Sequence, residues 1–480
     1  MSAGSPAAGN QWLRLIPLRV TPPRSARSAA RSHPGIDTRL VFAYAALMKA
    51  LHLTALTVAL PTLLFMNDAD AQPAGYNYDE AKVPAYTLPD PLLAADGSKI
   101  TTAAQWQKSR RAETLKLFEQ EVYGRQLGKL KETKFEVNSV ERGVLGGKAV
   151  RKQITLHLLG EDKEPKLHVL MYLPAAATKP VPVFVGYNFD GNHAVNADPG
   201  IELSTNWLRE ANAPGIKDHR ATEEGRGREA SRWAVDKILE RGYGVVTAYY
   251  GDIEPDHAEG WKDGLRAKIK TDAAGKPLPL EEWSAISAWA WGLSRVMDYL
   301  ETDDNVNTNQ VAVMGHSRLG KTALWAGATD ERFAITISNE SGCGGAALSR
   351  RIFGETVKRI NTSFPHWFCA TYKKYNDNEA ACPVDQHQLL ALLAPRPVYV
   401  ASAAEDLWAD PNGEFLGAKH AEPVYALFGK RGLNAETQPP LDTPVGDSIG
   451  YHVRTGKHDV TEYDWEQYLN FADRHFGRKR

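Results

Sequence analysis

Apolar and polar positions follow two different rhythms along this chain. Residues 133–174 alternate in short stretches, QITLHLL and KLHVLMYLP, around a turn at 160–162, a pattern that predicts antiparallel strands. From Val181 onward the apolar runs are short, β-branched and nearly continuous: VPVFVGYN, GVVTAYY, QVAVMG, FAITISN and PVYVASA. Strands of that texture are buried on both faces, as in a mainly parallel sheet covered by helices. Helical periods fall between them. EEWSAISAWAWGLSRVMDYL places Trp283, Ile286, Ala290, Leu293, Met297 and Leu300 on one apolar face, and Ala103 to Tyr123 predicts an earlier helix. Gln72 to Lys99, rich in Pro and Tyr, reads as extended over the surface, and residues 190–230 and 411–450 read as loop-like insertions. The expected architecture is α/β: a mostly parallel central sheet between two helical layers, with antiparallel strands at its N-terminal edge, in one domain over residues 72–480.

The N-terminal stretch has no such period. Residues 1–47 are rich in Ser, Ala, Pro and Arg and read as a disordered or wrongly included extension. Met48-Lys49 then opens LHLTALTVALPTLLF, followed by Ala69-Asp70-Ala71. A basic start, an apolar stretch and A-x-A form a secretory signal, here residues 48–71. The run is about fifteen residues and is broken by Pro61, shorter than the roughly twenty needed to span a bilayer. Export to the periplasm or the medium of a bacterium, without stable membrane insertion after cleavage, is the expectation.

Charge removes one class of partner. With 57 basic and 58 acidic residues, no basic surplus points to nucleic acid. Twelve tryptophans exceed what is usual, and exposed ones are how proteins stack on sugar rings. Cys343, Cys369 and Cys382 are too few for a disulfide scaffold and too scattered for a zinc site, though one pair could form. No metal and no cofactor is expected.

The chemistry centres on Gln310 to Thr322, QVAVMGHSRLGKT. An apolar strand, a sharp turn with Ser317 and a helix-prone KTALWAGA follow the grammar of a nucleophile elbow, G-x-S-x-G, although Leu319 takes the place of the last glycine. The same letters, Gly315 through Gly320, Lys321 and Thr322, satisfy the phosphate-cradling G-x-x-x-x-G-K-[ST] of a P-loop NTPase. Such loops usually follow an early strand and need intracellular nucleotide, which the late position and the signal segment oppose. A serine hydrolase needs a base and an acid to orient it, in the chain order serine, acid, histidine. Asp406, after PVYVASA, and His458, after SIGYHVRTGK, supply that order at apparent strand ends.

Several stretches together resemble the glucuronoyl esterases, carbohydrate esterase family 15, and look most like its bacterial branch. They are Gly315-His316-Ser317-Arg318-Leu319-Gly320, Asn339-Glu340-Ser341-Gly342, Gly354-Glu355, PHWFC, Glu405-Asp406-Leu407-Trp408 and Gly456-Lys457-His458. The resemblance runs from about Tyr78 to Phe476. It implies an α/β-hydrolase fold and hydrolysis of the ester between lignin alcohols and 4-O-methyl-glucuronate of glucuronoxylan. His316 stands where fungal members carry a disulfide-forming cysteine, so that bridge is absent. Ser317 is then the nucleophile, His458 the base, and Arg318 with its own N–H the donor to the oxyanion. Glu340 resembles the acid of fungal members while Asp406 holds the usual hydrolase position, and both are kept as partners of His458. Lys321, one helical turn past Ser317, is expected on the elbow's exposed rim. The resemblance makes Lys321, Glu355 and Trp408 sugar-binding. The glutamine that fungal members carry upstream of Glu355 is missing, with Ser349 and Arg350 nearby instead, while Gly186 to Asp190 is a further candidate for lining the pocket. Another secreted carbohydrate esterase, such as an acetyl xylan esterase, is the alternative within enzymes, and a non-catalytic polysaccharide-binding protein the alternative outside them. A monomer is expected.

Overall fold

The structure, a computed structural model, describes residues 72–478 apart from residue 162. The extension over 1–47, the signal over 48–71 and one residue of the turn at 160–162 lie outside the described residues. Among these, three antiparallel strands come first: β1 (Lys134–Val144), β2 (Ala149–His157) and β3 (Lys166–Pro174). The apolar runs follow as β4 (Val181–Asn188), β5 (Gly244–Tyr249), β6 (Val306–His316), β7 (Ile335–Asn339) and β8 (Val398–Ala403). A two-residue β9 (Val445–Gly446) and β10 (Ile449–Arg454) complete one sheet, in the order β1-β2-β3-β5-β4-β6-β7-β8-β10-β9. The six strands from β5 to β10 in that order pair in parallel, and β3 joins β5 antiparallel. This is an α/β-hydrolase sheet with three antiparallel strands at its N-terminal edge and the short β9 antiparallel at the other.

Alternation along the parallel strands feeds two cores. Val183, Val185, Val311, Val313, Val398 and Val400 pack on one face, whereas Phe184, Ala312, Met314, Tyr399 and Ala401 pack on the other. The first face is covered by helices that include α3 (Ala285–Leu300) and α4 (Arg318–Thr329), the second by α2 (Val235–Glu240) and α6 (Glu462–His475). The helix α1 (Arg111–Glu121), continuous with a π-helical turn over Trp106–Arg110, realises the first predicted helix. Burying each such valine contributes about 1.5–3 kcal/mol, which is why the continuous apolar pattern is diagnostic.

Two expectations are corrected. The apolar face expected on α3 is there over Ile286, Ala290, Leu293, Met297 and Leu300, but the opposite face is buried too, since every residue from Ala285 to Leu300 is. Its charged members find partners inside: Arg295 Nη1 donates to Gly128 O at 3.1 Å, and Asp298 Oδ1 accepts from Arg332 Nη1 at 2.7 Å. Trp283 lies before the helix, and Ser284 caps it by accepting from Ser287 N at 3.1 Å. The stretch 411–450, expected as a loop-like insertion, instead opens with the 17-residue helix α5 (Pro411–Leu427). Its loop-like letters are start signals: Asp410 caps the Gly413 N–H at 2.9 Å and Pro411 sits at the first helical position. Residues 190–230 are irregular, with helical turns at Asn192–Val195 and Glu223–Gly225 and a hairpin of two two-residue strands. All three cysteines are buried free thiols. Among the described residues no helix is long and apolar enough to cross a membrane.

Candidate active site

Ser317 joins β6 to α4 with φ +56° and ψ −128°, a conformation that costs a non-glycine residue energy and persists only when its surroundings enforce it. Two hydrogen bonds enforce it. Ser317 N–H donates to Asn339 O at 2.9 Å, and the first turn of α4 closes when Gly320 N–H donates to Ser317 O at 2.9 Å. The geometry also explains the missing glycine of the elbow pattern. A Cβ on Gly315 would collide with the Leu319 carbonyl, and one on Gly320 would lie 3.0 Å from Ser341 Cβ. The second close approach is made one residue later than the pattern states, so Leu319 is tolerated.

Four consecutive neighbours in the sheet, β6, β7, β8 and β10, deliver the remaining groups at their carboxyl ends, where open α/β sheets place their chemistry. Glu340 follows β7 with φ +47°, its N–H donating to Ala401 O at 2.7 Å. Asp406 follows β8 and His458 follows β10. His458 Nδ1 donates to Asp406 Oδ2 at 2.6 Å and stands 3.2 Å from Glu340 Oε2. Both acids therefore reach one ring nitrogen, so that in the neutral ring Nε2 carries the lone pair. Ser317 and His458 line one cleft of about 270 Å³ with Phe189, Asp190, Glu229 and Arg318. Burial disfavours the imidazolium of His458, but the hydrogen bonds to Asp406 and Glu340 outweigh it and hold its pKa above the ordinary range. Burial pushes Glu340 up to about 7 against the pull of His458 and Arg454. Glu340 and His458 also lie with His316 within 4.8 Å, close enough for a metal ion. The oxygens of Glu340 already accept from Arg454 and the Asp459 N–H, an arrangement of an acid–base set.

Arg318 is the first residue of α4, where the backbone N–H has no partner within the helix. Its guanidinium lies between the rings of Phe189 (5.4 Å) and Trp367 (5.2 Å) and donates to Asp256 Oδ2 at 2.9 Å. Lys321 departs from expectation. It is 4% exposed rather than on the rim, because the chain after β7 folds over it and its ammonium donates to Ser341 O. A loop that cradles phosphate turns its backbone N–H groups to the ligand, whereas here Ser317 N–H donates to Asn339 O and the N–H groups of Gly320 and Lys321 donate to Ser317 O, so the P-loop reading falls. Burial lowers the pKa of Lys321, with Glu355 opposing. Glu355 is itself pushed up to about 7 by burial, with Lys321 pulling it back. Its N–H donates to Trp408 O at 3.0 Å, which joins two of the three expected sugar contacts through the backbone. Arg350 turns away, donating to Cys382 O at 2.5 Å and to Val384 O at 3.2 Å.

Three buried side chains escaped the sequence. Arg454, last in β10, donates to Glu340 Oε1 at 2.6 Å and to Asp464 Oδ2 at 2.8 Å. Glu414 of α5 accepts from Gly342 N at 3.0 Å and Ser402 Oγ at 2.6 Å, tying the ends of β7 and β8 together, and burial raises it to about 8. Asp256 holds Arg318. A charged residue closing an apolar strand, as in SIGYHVR, was the available signal for Arg454; the other two had none.

The family described as "Glucuronyl esterase, fungi" matches residues 280–429. A carbohydrate esterase of an unknown prokaryotic organism is 52% identical over 410 residues, which is 85% of this chain and 94% of that protein. The solved structure of a glucuronoyl esterase from Solibacter usitatus is 53% identical, with a TM-score of 0.78 over 83% of this chain and 100% of that one. A family 15 glucuronoyl esterase from Teredinibacter turnerae is 34% identical, with a TM-score of 0.69 over 84% of this chain and 93% of that one.

Proposed function

Because the chain belongs to carbohydrate esterase family 15, the glucuronoyl esterases, we propose that it hydrolyses the ester between 4-O-methyl-D-glucuronate of glucuronoxylan and lignin alcohols. The observation that carries this reading is one imidazole nitrogen held by two carboxylates beside an elbow serine that is followed by arginine. Ser317 Oγ attacks the C6 carbonyl while His458 Nε2 takes its proton. The carbonyl electron pair moves onto oxygen, where the Arg318 guanidinium and N–H donate to it. Collapse breaks the bond from C6 to the alcohol oxygen, which leaves with the proton from His458. Water repeats the sequence on the acyl-enzyme and frees the uronate.

Lys321, Glu355 and Trp408 bind the sugar on this reading. The esterified C6 carries no charge, so Lys321 and Glu355 recognise ring hydroxyls while Trp408 offers an apolar face. Wild type should release alcohol from a methyl or benzyl glucuronate ester, Ser317→Ala should not, and acetylated xylan should be a far poorer substrate. Comparable kcat/KM on both substrates would overturn the glucuronate specificity, and equal activity of Ser317→Ala would end the serine mechanism. The protein acts as an exported monomer after removal of residues 48–71, with xylan-bound lignin esters as its partners.

A further inference from the structure

Asp256 is a buried carboxylate with an unusual number of donors. Its Oδ2 accepts from Arg209 Nη1 at 2.8 Å, Arg318 Nη1 at 2.9 Å and the Tyr250 hydroxyl at 3.0 Å. Its Oδ1 accepts from His366 Nε2 at 2.8 Å and Trp367 Nε1 at 2.7 Å. A carboxylate offers about four lone-pair positions, so five donors saturate it. They arrive from four separate places: the 190–230 insertion, the end of β5, the start of α4, and the segment before Cys369. The side chain has no exposed surface. Burial alone would favour its neutral form, yet Arg318, His366 and Arg209 hold it well below the carboxylate range.

Arg318 gains from this what an arginine on a solvent-facing turn lacks. One guanidinium nitrogen is fixed by Asp256, and the plane lies between Phe189 and Trp367. Within this cluster two guanidinium groups, Arg209 and Arg318, share one carboxylate, so Asp256 does not cancel the charge of Arg318. Resting on the reading of Arg318 as oxyanion donor, we propose that Asp256 is the positioning residue of the reaction, fixing the Arg318 guanidinium where negative charge develops on the C6 carbonyl oxygen. It touches neither substrate nor the reacting atoms.

Position and charge make opposite demands on one variant. Asp256→Asn keeps the volume and removes one negative charge, so the cluster becomes more positive while Arg318 loses its anchor. Were charge alone the cause of stabilisation, kcat would hold or rise. The inference instead expects kcat on a glucuronate ester to fall by about 10², close to the roughly 10²–10³ lost when an oxyanion donor is removed, with KM little changed. In an Arg318→Ala background the same change should alter kcat by less than about threefold, since the group it positions is gone. Tyr250→Phe removes one donor to the same oxygen without touching charge. It should cost about two- to tenfold in kcat and nothing in the Arg318→Ala background, and it carries the test should Asp256→Asn not fold. Wild-type kcat in Asp256→Asn, or losses that multiply fully with Arg318→Ala for either variant, would overturn the inference. Wild-type kcat in Arg318→Ala itself would instead sink the reading of Arg318 on which it rests.

Discussion

Removing the two acids one at a time and together tests how His458 is held. Asp406 makes the shorter contact with Nδ1, 2.6 Å against 3.2 Å for Glu340, and charge-assisted bonds of that length are the stronger ones. Glu340 is occupied elsewhere, by Arg454 and the Asp459 N–H, but remains at hydrogen-bond distance from the same nitrogen. Either acid left alone can therefore keep the productive tautomer. Each single alanine variant should lose about tenfold in kcat, or about 1.4 kcal/mol. Losing all orientation costs about 10⁴, or about 5.5 kcal/mol. Two independent tenfold losses would multiply to only about 10², so substitution of one acid for the other predicts a coupling of about 2.7 kcal/mol in the double-variant cycle. Glu340→Ala also leaves the buried Arg454 short of a partner, a stability effect of several kcal/mol, so thermal unfolding must be followed beside kcat, with Glu340→Gln as the milder change. If Asp406→Ala alone equals the double variant, Asp406 is the sole orienting acid. If the losses simply multiply, the two acids do not replace one another.

The pH dependence of kcat/KM should have an acidic limb above the ordinary imidazole range, because Asp406 and Glu340 raise His458 and the base must be neutral to act. Asp406→Ala removes one negative neighbour and must move that limb to lower pH; a shift upward, or none, contradicts the assignment. The apparent value belongs to the His458–Glu340 pair, not to one residue. Export leaves a mass signature: the mature chain should begin near Gln72, and secreted protein that retains residues 48–71 would refute the signal reading.

What could be read from sequence was whatever depends on nearest neighbours along the chain. The parallel strands were legible because burial on both faces leaves VPVFVGYN and PVYVASA nearly continuously apolar, with only Asn188 and Ser402 as buried exceptions. The elbow was legible because strand, turn and helix are contiguous there. Two failures share a cause in chain-distant packing. The polar face of α3 looks solvent-exposed when Arg295 and Asp298 are counted as surface, although both are buried and paired inside the protein. Lys321 looks exposed until the chain after β7 closes over it. The start of α5 failed for a local reason, since Asp-Pro-Asn-Gly is composed like a loop but capped like a helix. Glu414 and Asp256 were unreadable because their partners lie on elements remote in sequence.

Strain and burial at the site are two sides of one arrangement. Ser317 and Glu340 are both non-glycine residues at positive φ, each worth about 1–3 kcal/mol of strain, at the ends of adjacent strands. Their backbones are locked in series: Ser317 N–H donates to Asn339 O, and Glu340 N–H donates to Ala401 O. The two turns are thus tied to one another, and the spacing between the Ser317 and Glu340 backbones is set by the ladder. The carboxylates of Glu340, Asp256 and Glu414 then tie these strand ends to Arg454, Arg318 and Gly342. Buried ion pairs such as Glu340–Arg454 and Asp256–Arg318 are weak contributors to stability against well-packed apolar replacements. Their retention follows from the need for fixed geometry: a proton taken by His458 and a charge received beside Arg318 leave little tolerance for movement of the groups that hold them.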